Sequence, residues 1–288
     1  MPTARATGAS ATKYVFCNAA PQAGARFDAI SRIFDPNTIR HLEGRCVDKG
    51  WHCLEVGGGN GSIAAWLSRR VGAAGHVLAT DIDPRFLKNL KLSNMEVRRH
   101  DIVADEVPEG AFDLVHCRLL LLHLPERENA LLRMISALKP GGWLLAEEFD
   151  SASLPADPAM NPAEVLSRTQ VAMTRVLDDR GVDRRYGRRL LGQLQMHGLV
   201  EVGAEAQMSL WQGGSSGARL LRANYEQLRT DMIDAGYIGE EEFEHDLARL
   251  ERPDFLMPSP IMWTVWGRRP AGVPSTDGVR IQSLLSCK

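Results

Sequence analysis

Residues 51–61 read Trp-His-Cys-Leu-Glu-Val-Gly-Gly-Gly-Asn-Gly, a short apolar run that closes on an acid and opens into four glycines within five positions. Trp51 to Val56 has the length and composition of a buried strand. Ser62 to Val71 then carries Ile63, Trp66, Leu67 and Val71 at helical spacing, with Ser62 placed to cap the first turn. The order is therefore strand, glycine turn, helix. Gly57, Gly59 and Gly61 relieve the backbone of a Cβ where the chain bends, where a ligand can approach and where the helix packs on the strand. Glycine serves such turns for geometry alone, so a binding role needs support from residues further along the chain.

A second strand is predicted over His76 to Ile82, and Asp81 lies 20 residues beyond Gly61, where a doubly wound sheet places a carboxylate that accepts from both ribose hydroxyls. The turn has the spacing ExGxGxG and not GxGxxG. That leaves no glycine where a pyrophosphate would settle on the helix N-terminus. Over residues 50–150 the chain resembles the class I S-adenosylmethionine-dependent methyltransferases. The resemblance implies that the segment Glu55, Val56, Gly57, Gly58, Gly59, Asn60 and Gly61 cradles the methionine part of the cofactor. It further implies that Asp81 holds the ribose, that Ile82 packs on the adenine face, and that Asp101 and Ile102, ending a third strand Glu96 to Ile102, meet the adenine amino group and ring. Phe112 to Arg118 resembles the fourth strand, and Leu138-Lys139-Pro140-Gly141-Gly142 the turn before a fifth, Trp143 to Phe149. The implied fold is α/β, a Rossmann-like seven-stranded, mostly parallel sheet with one antiparallel strand, flanked by helices. The implied cofactor is S-adenosyl-L-methionine, with S-adenosyl-L-homocysteine as product.

Composition excludes several classes of partner. With 288 residues the chain suits one αβ domain with insertions, and length alone also allows two domains. A net charge of −2 and a pI of about 6.5 provide no global basic field for nucleic acid or an anionic membrane. Cys17, Cys46, Cys53, Cys117 and Cys287 lack CxxC spacing and read as buried thiols of a reducing compartment. No apolar run approaches the roughly 20 residues of a membrane span, and Met1 to Thr12 lacks the apolar centre of a signal peptide. A cytoplasmic protein is expected; whether it forms a homodimer is left open.

The expected organisation is an N-terminal arm and helical cover over 1–48, a methyltransferase domain over 49–270 and a tail over 271–288. Within 24–47 the pattern suggests two helices interrupted near Asp35-Pro36, with Tyr14, Phe16, Phe27 and Arg32 able to reach the site. Two helical substrate covers are expected, over 151–198 and 213–256. In the first, Asn161-Pro162-Ala163-Glu164 is a helix start running on to Asp179, followed by a helix over Tyr186 to Met196. In the second, Leu221, Tyr225, Leu228 and Met232 form one stripe and Phe243, Leu247 and Leu250 another. Strict alternation from Val200 to Leu210 predicts a strand with one buried and one wet face, paired with a last strand over Ile261 to Gly267.

The implied chemistry is an in-line displacement at a methyl group on sulfonium, where alignment and exclusion of water carry most of the work. Any base should lie at the carboxyl ends of strands four and five. His123 is the first candidate, because a free imidazole titrates near neutral pH. Glu148 is the second; it alternates with Glu147, so one of the two should face the pocket and the other be solvated or paired. His116, Asp150 and Arg118 share that edge, and Arg118 could hold the cofactor carboxylate or an acidic substrate, or form an ion pair with a neighbouring acid. Tyr14, Tyr186 and Tyr225 are the expected substrate contacts. The run Arg184, Arg185, Tyr186, Gly187, Arg188, Arg189 offers an anion clamp or a solvated face. Strand four ends in His116-Cys117-Arg118 and not in the Asn-Pro-Pro-aromatic motif of amine-directed nucleic-acid enzymes, and no carboxylate group suggests a metal. The pattern resembles bacterial small-molecule methyltransferases, ubiquinone-type and secondary-metabolite enzymes among them. It implies transfer to oxygen, nitrogen or carbon of a small aromatic or heteroaromatic metabolite. The alternatives are a nicotinamide-dependent oxidoreductase and a non-catalytic nucleoside-binding protein.

Overall fold

A computed structural model describes residues 14–152 and 167–271. The expected helix start at Asn161 and the tail beyond 271 lie outside the described residues. Helix α1 (Ala23–Gly44) precedes β1 (His52–Val56), α2 (Ser62–Val71) and β2 (His76–Asp81). β3 (Met95–Arg99), β4 (Phe112–Arg118), α3 (Arg127–Ala137) and β5 (Leu138–Asp150) come next. The second half contributes α4 (Arg168–Asp179), α5 (Tyr186–Met196), β6 (Val200–Gln207), β7 (Leu210–Gln212), α6 (Ser216–Asp234), α7 (Glu240–Arg249), β8 (Leu256–Pro258) and β9 (Ile261–Arg268).

The main sheet has the order β3-β2-β1-β4-β5-β9-β6. β9 runs antiparallel to both neighbours while β1 to β5 are parallel, which is the seven-stranded arrangement the resemblance implies. Order reverses between β1 and β4, and the carboxyl edge there forms the crevice in which such sheets bind ligands. Successive side chains enter two separate cores. Leu54, Leu78, Val115, Leu144 and Ala146 pack into one. Cys53, Val77, Ala79, Leu114 and Leu145 pack into the other, with Leu42 of α1 and Ile63 and Leu67 of α2. Both faces are covered, so the inner strands read as unbroken apolar runs.

Several expectations are corrected. α1 is one helix that continues through Pro36. Its buried stripe includes Ile30, Phe34, Thr38 and Leu42, and this packing outweighs the ~3 kcal/mol that an internal proline costs. The Thr38 hydroxyl lies 3.1 Å from the Phe34 carbonyl, one turn back. Ser62 does not cap α2; Gly61 occupies that position at φ 80°. β3 ends at Arg99, so Asp101 and Ile102 belong to the loop beyond it. β5 begins at Leu138, which already pairs with Phe112, and the Lys139–Gly142 segment is absorbed as an irregularity before Leu114 pairs with Trp143. Ser167 caps α4 by accepting from Gln170 N.

The alternating segment after Val200 divides. β6 is an edge strand with a bulge between Val200 and Gly203, and neither face of it is sealed; Leu210 starts a separate ribbon of β7 with β8. Cys17 and Cys46 are exposed, and only Cys53 and Cys117 are buried thiols among the described residues. Among the described residues no helix is long and apolar enough to cross a membrane.

Candidate active site

A cavity of about 290 Å³ opens at the carboxyl ends of β1, β2 and β4. Its floor is the turn Gly57–Gly59. This turn is tied to β2 by two backbone-directed bonds, Gly58 N to Thr80 O at 2.9 Å and Gly59 N to Asp81 Oδ2 at 3.0 Å. The other Asp81 oxygen accepts from Asp83 N at 2.9 Å. Burial pushes the Asp81 carboxyl above its ordinary pKa, against the pull of these two amides. The turn and the aspartate are thus one hydrogen-bonded unit.

Gly59 has φ 55°, and a Cβ there would meet Cε1 of Phe27 at 2.7 Å. The α1 helix therefore lies directly over the turn and leaves space only for bare backbone. Gly61 is different. It does not line the cavity, and a Cβ on it would strike Leu87 at 2.8 Å. Its role is the packing of α2.

The residues named for the nucleoside gather along the same crevice. Ile82 is 51 % exposed, an apolar face open to the cavity, with the buried Ile102 also in the wall. Asp101 lines the wall as well, its Oδ1 accepting from Val103 N at 2.9 Å. Arg118 is present but engaged: its Nη2 meets Asp35 at 2.8 Å and its Nη1 donates to Thr38 at 2.9 Å. The structure favours the ion pair for this guanidinium.

Beneath the floor runs a polar chain through the sheet. Glu55, His116 and Glu147 lie on the α1 face because each is two residues from a side chain of the same core. His116 is wholly buried, with Nδ1 2.7 Å from Glu55 and Nε2 3.4 Å from Glu147. Glu147 also accepts from Thr38 and, at 2.7 Å, from Thr264. Burial opposes a charged imidazole, but the two carboxylates outweigh it and hold His116 up at about 9. Burial likewise opposes the Glu147 carboxylate, and His116, Arg118 and Thr38 hold it below the usual range. The chain of contacts joins the cavity floor at Glu55 to the covering helix at Thr38.

Neither glutamate of β5 lines the cavity. Glu147 and Glu148 do alternate, but both faces of a covered sheet are dry, so neither is solvated. Glu148 is fully buried and accepts from Leu120 N at 3.0 Å, Leu121 N at 2.6 Å and Leu122 N at 3.4 Å. Burial pushes it up to about 8, although the three amides favour its ionised form. It holds the turn that carries His123 and does not touch the cavity.

His123 does line the cavity. Its ring packs edge-on against Tyr14 and Phe16, with centroids 5.0 and 6.0 Å away, and its Nδ1 is sealed without a hydrogen-bond partner. Burial, followed by the nearby Arg26 guanidinium, pushes the imidazole down to about 3. A base works best with a pKa near the working pH, so the near-neutral titration expected of a free histidine does not hold here.

Of the three tyrosines, only Tyr14 reaches the cavity. Tyr186 is buried at the start of α5, and Tyr225 is buried in the core with its hydroxyl on Gln170 Oε1 at 2.9 Å. Phe27 reaches the cavity, whereas Phe16 packs behind His123 and Arg32 is exposed elsewhere. The arginine run at α5 forms ion pairs, Arg184 with Asp178 at 2.7 Å and Arg188 with the buried Asp150 at 2.5 Å, and does not line this cavity. Sequence reasoning missed Arg26, which lines the cavity from α1. Its signal was position: 26, 30 and 34 fall on one helical stripe, so an arginine stands where an apolar residue would be expected.

Comparison with known proteins agrees with this geometry. A family described as a methyltransferase domain matches residues 23–203, more than half of the chain. Methyltransferase str2 of Strobilurus tenacellus is 32 % identical over 143 residues, covering 49 % of this chain and 50 % of that protein. The ubiquinone/menaquinone biosynthesis C-methyltransferase UbiE of Pseudoalteromonas translucida is 36 % identical over 111 residues, 36 % of this chain and 44 % of that protein. The chain thus spans about half the length of the curated relatives it matches. Among solved structures, phosphoethanolamine N-methyltransferase 2 of Haemonchus contortus, in complex with phosphomonomethylethanolamine and S-adenosylhomocysteine, superposes with a TM-score of 0.53 at 13 % identity. The match covers 87 % of this chain and 57 % of that one, a likeness of fold. With a seven-stranded sheet of this order, a bare glycine cradle bonded to Asp81 at its crevice and a family match over residues 23–203 that takes in the cradle and β1 to β5, the chain belongs to the class I S-adenosylmethionine-dependent methyltransferases.

Proposed function

We propose that the protein transfers a methyl group from S-adenosylmethionine to oxygen, nitrogen or carbon of a small aromatic or heteroaromatic metabolite. The observation that carries this reading is the bond between Gly59 N and Asp81, which sets a bare-backbone surface and a buried carboxylate side by side in one cavity. Such a pair suits a ligand with an amino-acid end and a ribose, and the exposed face of Ile82 suits the attached base. When bound, the cofactor supplies a methyl group activated on sulfonium sulfur.

The protein's own contribution is placement and exclusion of water. Glu55 and the turn would receive the methionine portion, Asp81 the ribose hydroxyls, and Ile82, Asp101 and Ile102 the adenine. Phe27 of α1 covers the turn, while Tyr14, Leu120 and His123 bound the space on the β4 side. His123, held unprotonated, orients the acceptor and takes no proton from it at neutral pH. The relationship to a ubiquinone/menaquinone C-methyltransferase supports an aromatic acceptor.

Calorimetric titration with S-adenosylhomocysteine and with NAD tests the cofactor reading, and binding of NAD alone would overturn it. Incubation of the protein with methyl-labelled S-adenosylmethionine and a cell extract, followed by mass spectrometry, tests the transfer. A labelled small molecule is expected, and labelled protein or nucleic acid in its place would refute the acceptor class.

A further inference from the structure

The cavity wall holds a positive charge that no described residue balances. Arg26 is 5 % exposed and lines the cavity from α1. Its Nε donates to Oδ1 of Asn224 on α6 at 2.9 Å, and its guanidinium carbon lies 4.1 Å from the centroid of the Phe16 ring. Both partners are neutral. Among the described residues no carboxylate lies within 4.0 Å of it. The other arginine of the cavity lining differs: Arg118 is paired with Asp35 at 2.8 Å. The terminal amino groups of Arg26 are not among the sealed unpartnered atoms, and the residue lines the cavity.

A guanidinium cannot shed its proton, and an unpaired buried cation is strongly disfavoured unless an anion joins it. Position decides which anion. Arg26 is fastened to α6, in the helical segment between β7 and β8, and its guanidinium carbon also lies 5.8 Å from the ring of Phe27, which covers the turn at Gly59. Phe16, on which it stacks, also packs against His123, on the turn after β4. Through Phe16 it joins the wall shared by Tyr14 and His123, beside the expected place of the acceptor.

We propose that Arg26 receives an anionic group of the acceptor, a carboxylate or other oxyanion carried on a small aromatic ring, through paired charge-assisted hydrogen bonds. This rests on the methyltransferase reading above and names the substrate class for the same site. Asn224 acts as the positioning residue that fixes the plane of the guanidinium.

Benzoate and benzamide, alike in shape and different in charge, are the probes. Each is titrated into the protein loaded with S-adenosylhomocysteine, by calorimetry or ligand-observed NMR. Benzoate is expected to bind roughly tenfold or more tighter than benzamide. Arg26→Met should abolish the preference and Arg26→Lys should keep part of it. Should Arg26→Met fail to fold, as judged by its thermal melt, the wild-type comparison and Arg26→Lys still decide. Equal binding of the two probes by the wild-type protein, or an undiminished preference in either variant, overturns the proposal.

A separate arm compares S-adenosylhomocysteine with methylthioadenosine, which lacks the amino-acid carboxylate. If the variants lose affinity for the first alone, the guanidinium serves the cofactor's carboxylate and the acceptor assignment is wrong. Failure of S-adenosylhomocysteine to bind the wild-type protein would refute the methyltransferase reading itself, before any probe is added.

Discussion

Replacing His116 by Gln removes the one positive charge set between Glu55 and Glu147 while leaving a side chain that can still donate hydrogen bonds. Breaking a buried ion pair from one side typically costs about 3–5 kcal/mol, because the remaining charges keep their desolvation penalty. The pH dependence provides an independent estimate. The imidazole is held at about 9 in the fold, against an ordinary value of 6.5. At ~1.36 kcal/mol per pH unit that interval corresponds to about 3 kcal/mol, the same order as the substitution cost. Because the folded value is the higher one, this stabilisation is fully present below pH 6.5 and is lost as pH rises through 9.

The assay is urea unfolding followed by fluorescence of the six tryptophans, at intervals from pH 6 to 9.5. Near pH 6.5 the variant should be less stable by about 3 kcal/mol, and the gap should narrow toward pH 9 as the wild-type imidazole loses its proton. Subtracting variant from wild type at each pH removes groups common to both, Glu148 among them. A gap that stays constant across this range would refute the reasoning, as would a His116 imidazole resonance titrating at or below 6.5 in NMR.

Asp81→Ala removes a carboxylate bonded to the turn amide of Gly59, and S-adenosylhomocysteine affinity should fall by about 2–4 kcal/mol in calorimetry. Gly59→Ala should displace Phe27 and weaken the same binding, with partial recovery in the double variant Gly59→Ala, Phe27→Ala; Gly61→Ala should lower the melting temperature through Leu87 and Leu90 instead. Because burial holds His123 at about 3, rate–pH profiles of wild type and His123→Ala should share their inflections between pH 5 and 8, and an inflection near 6.5 lost in the variant would restore the base. Glu148→Leu leaves the amides of Leu120, Leu121 and Leu122 without an acceptor and should cost about 2–3 kcal/mol in urea unfolding, while Glu148→Gln, keeping an oxygen there, should cost less.

Much of the cofactor half was legible in the sequence because its determinants are local. A strand, a glycine turn and a helix succeed one another within residues 51–71, and the acid at 81 sits at the end of the adjacent strand. Backbone conformation dictates glycine at such a turn whatever surrounds it. The seven-stranded sheet with one antiparallel strand came from the family resemblance, and the order of its strands from the tertiary structure.

The polar groups were another matter. Alternation told that Glu147 and Glu148 face opposite sides, yet not that both sides are dry; the partner of Glu148 is a turn 26–28 residues away, and that of His116 lies 61 residues upstream. Arg26 stands on an apolar stripe and meets Asn224 across 198 positions. Tyr225 and Tyr186, chosen as substrate contacts, became core because helix packing turned them away from the crevice. Local geometry is fixed by neighbouring residues and so is written along the chain. Which buried charges meet, and which one is left for a ligand, depends on where distant elements dock, and only the tertiary structure decides that.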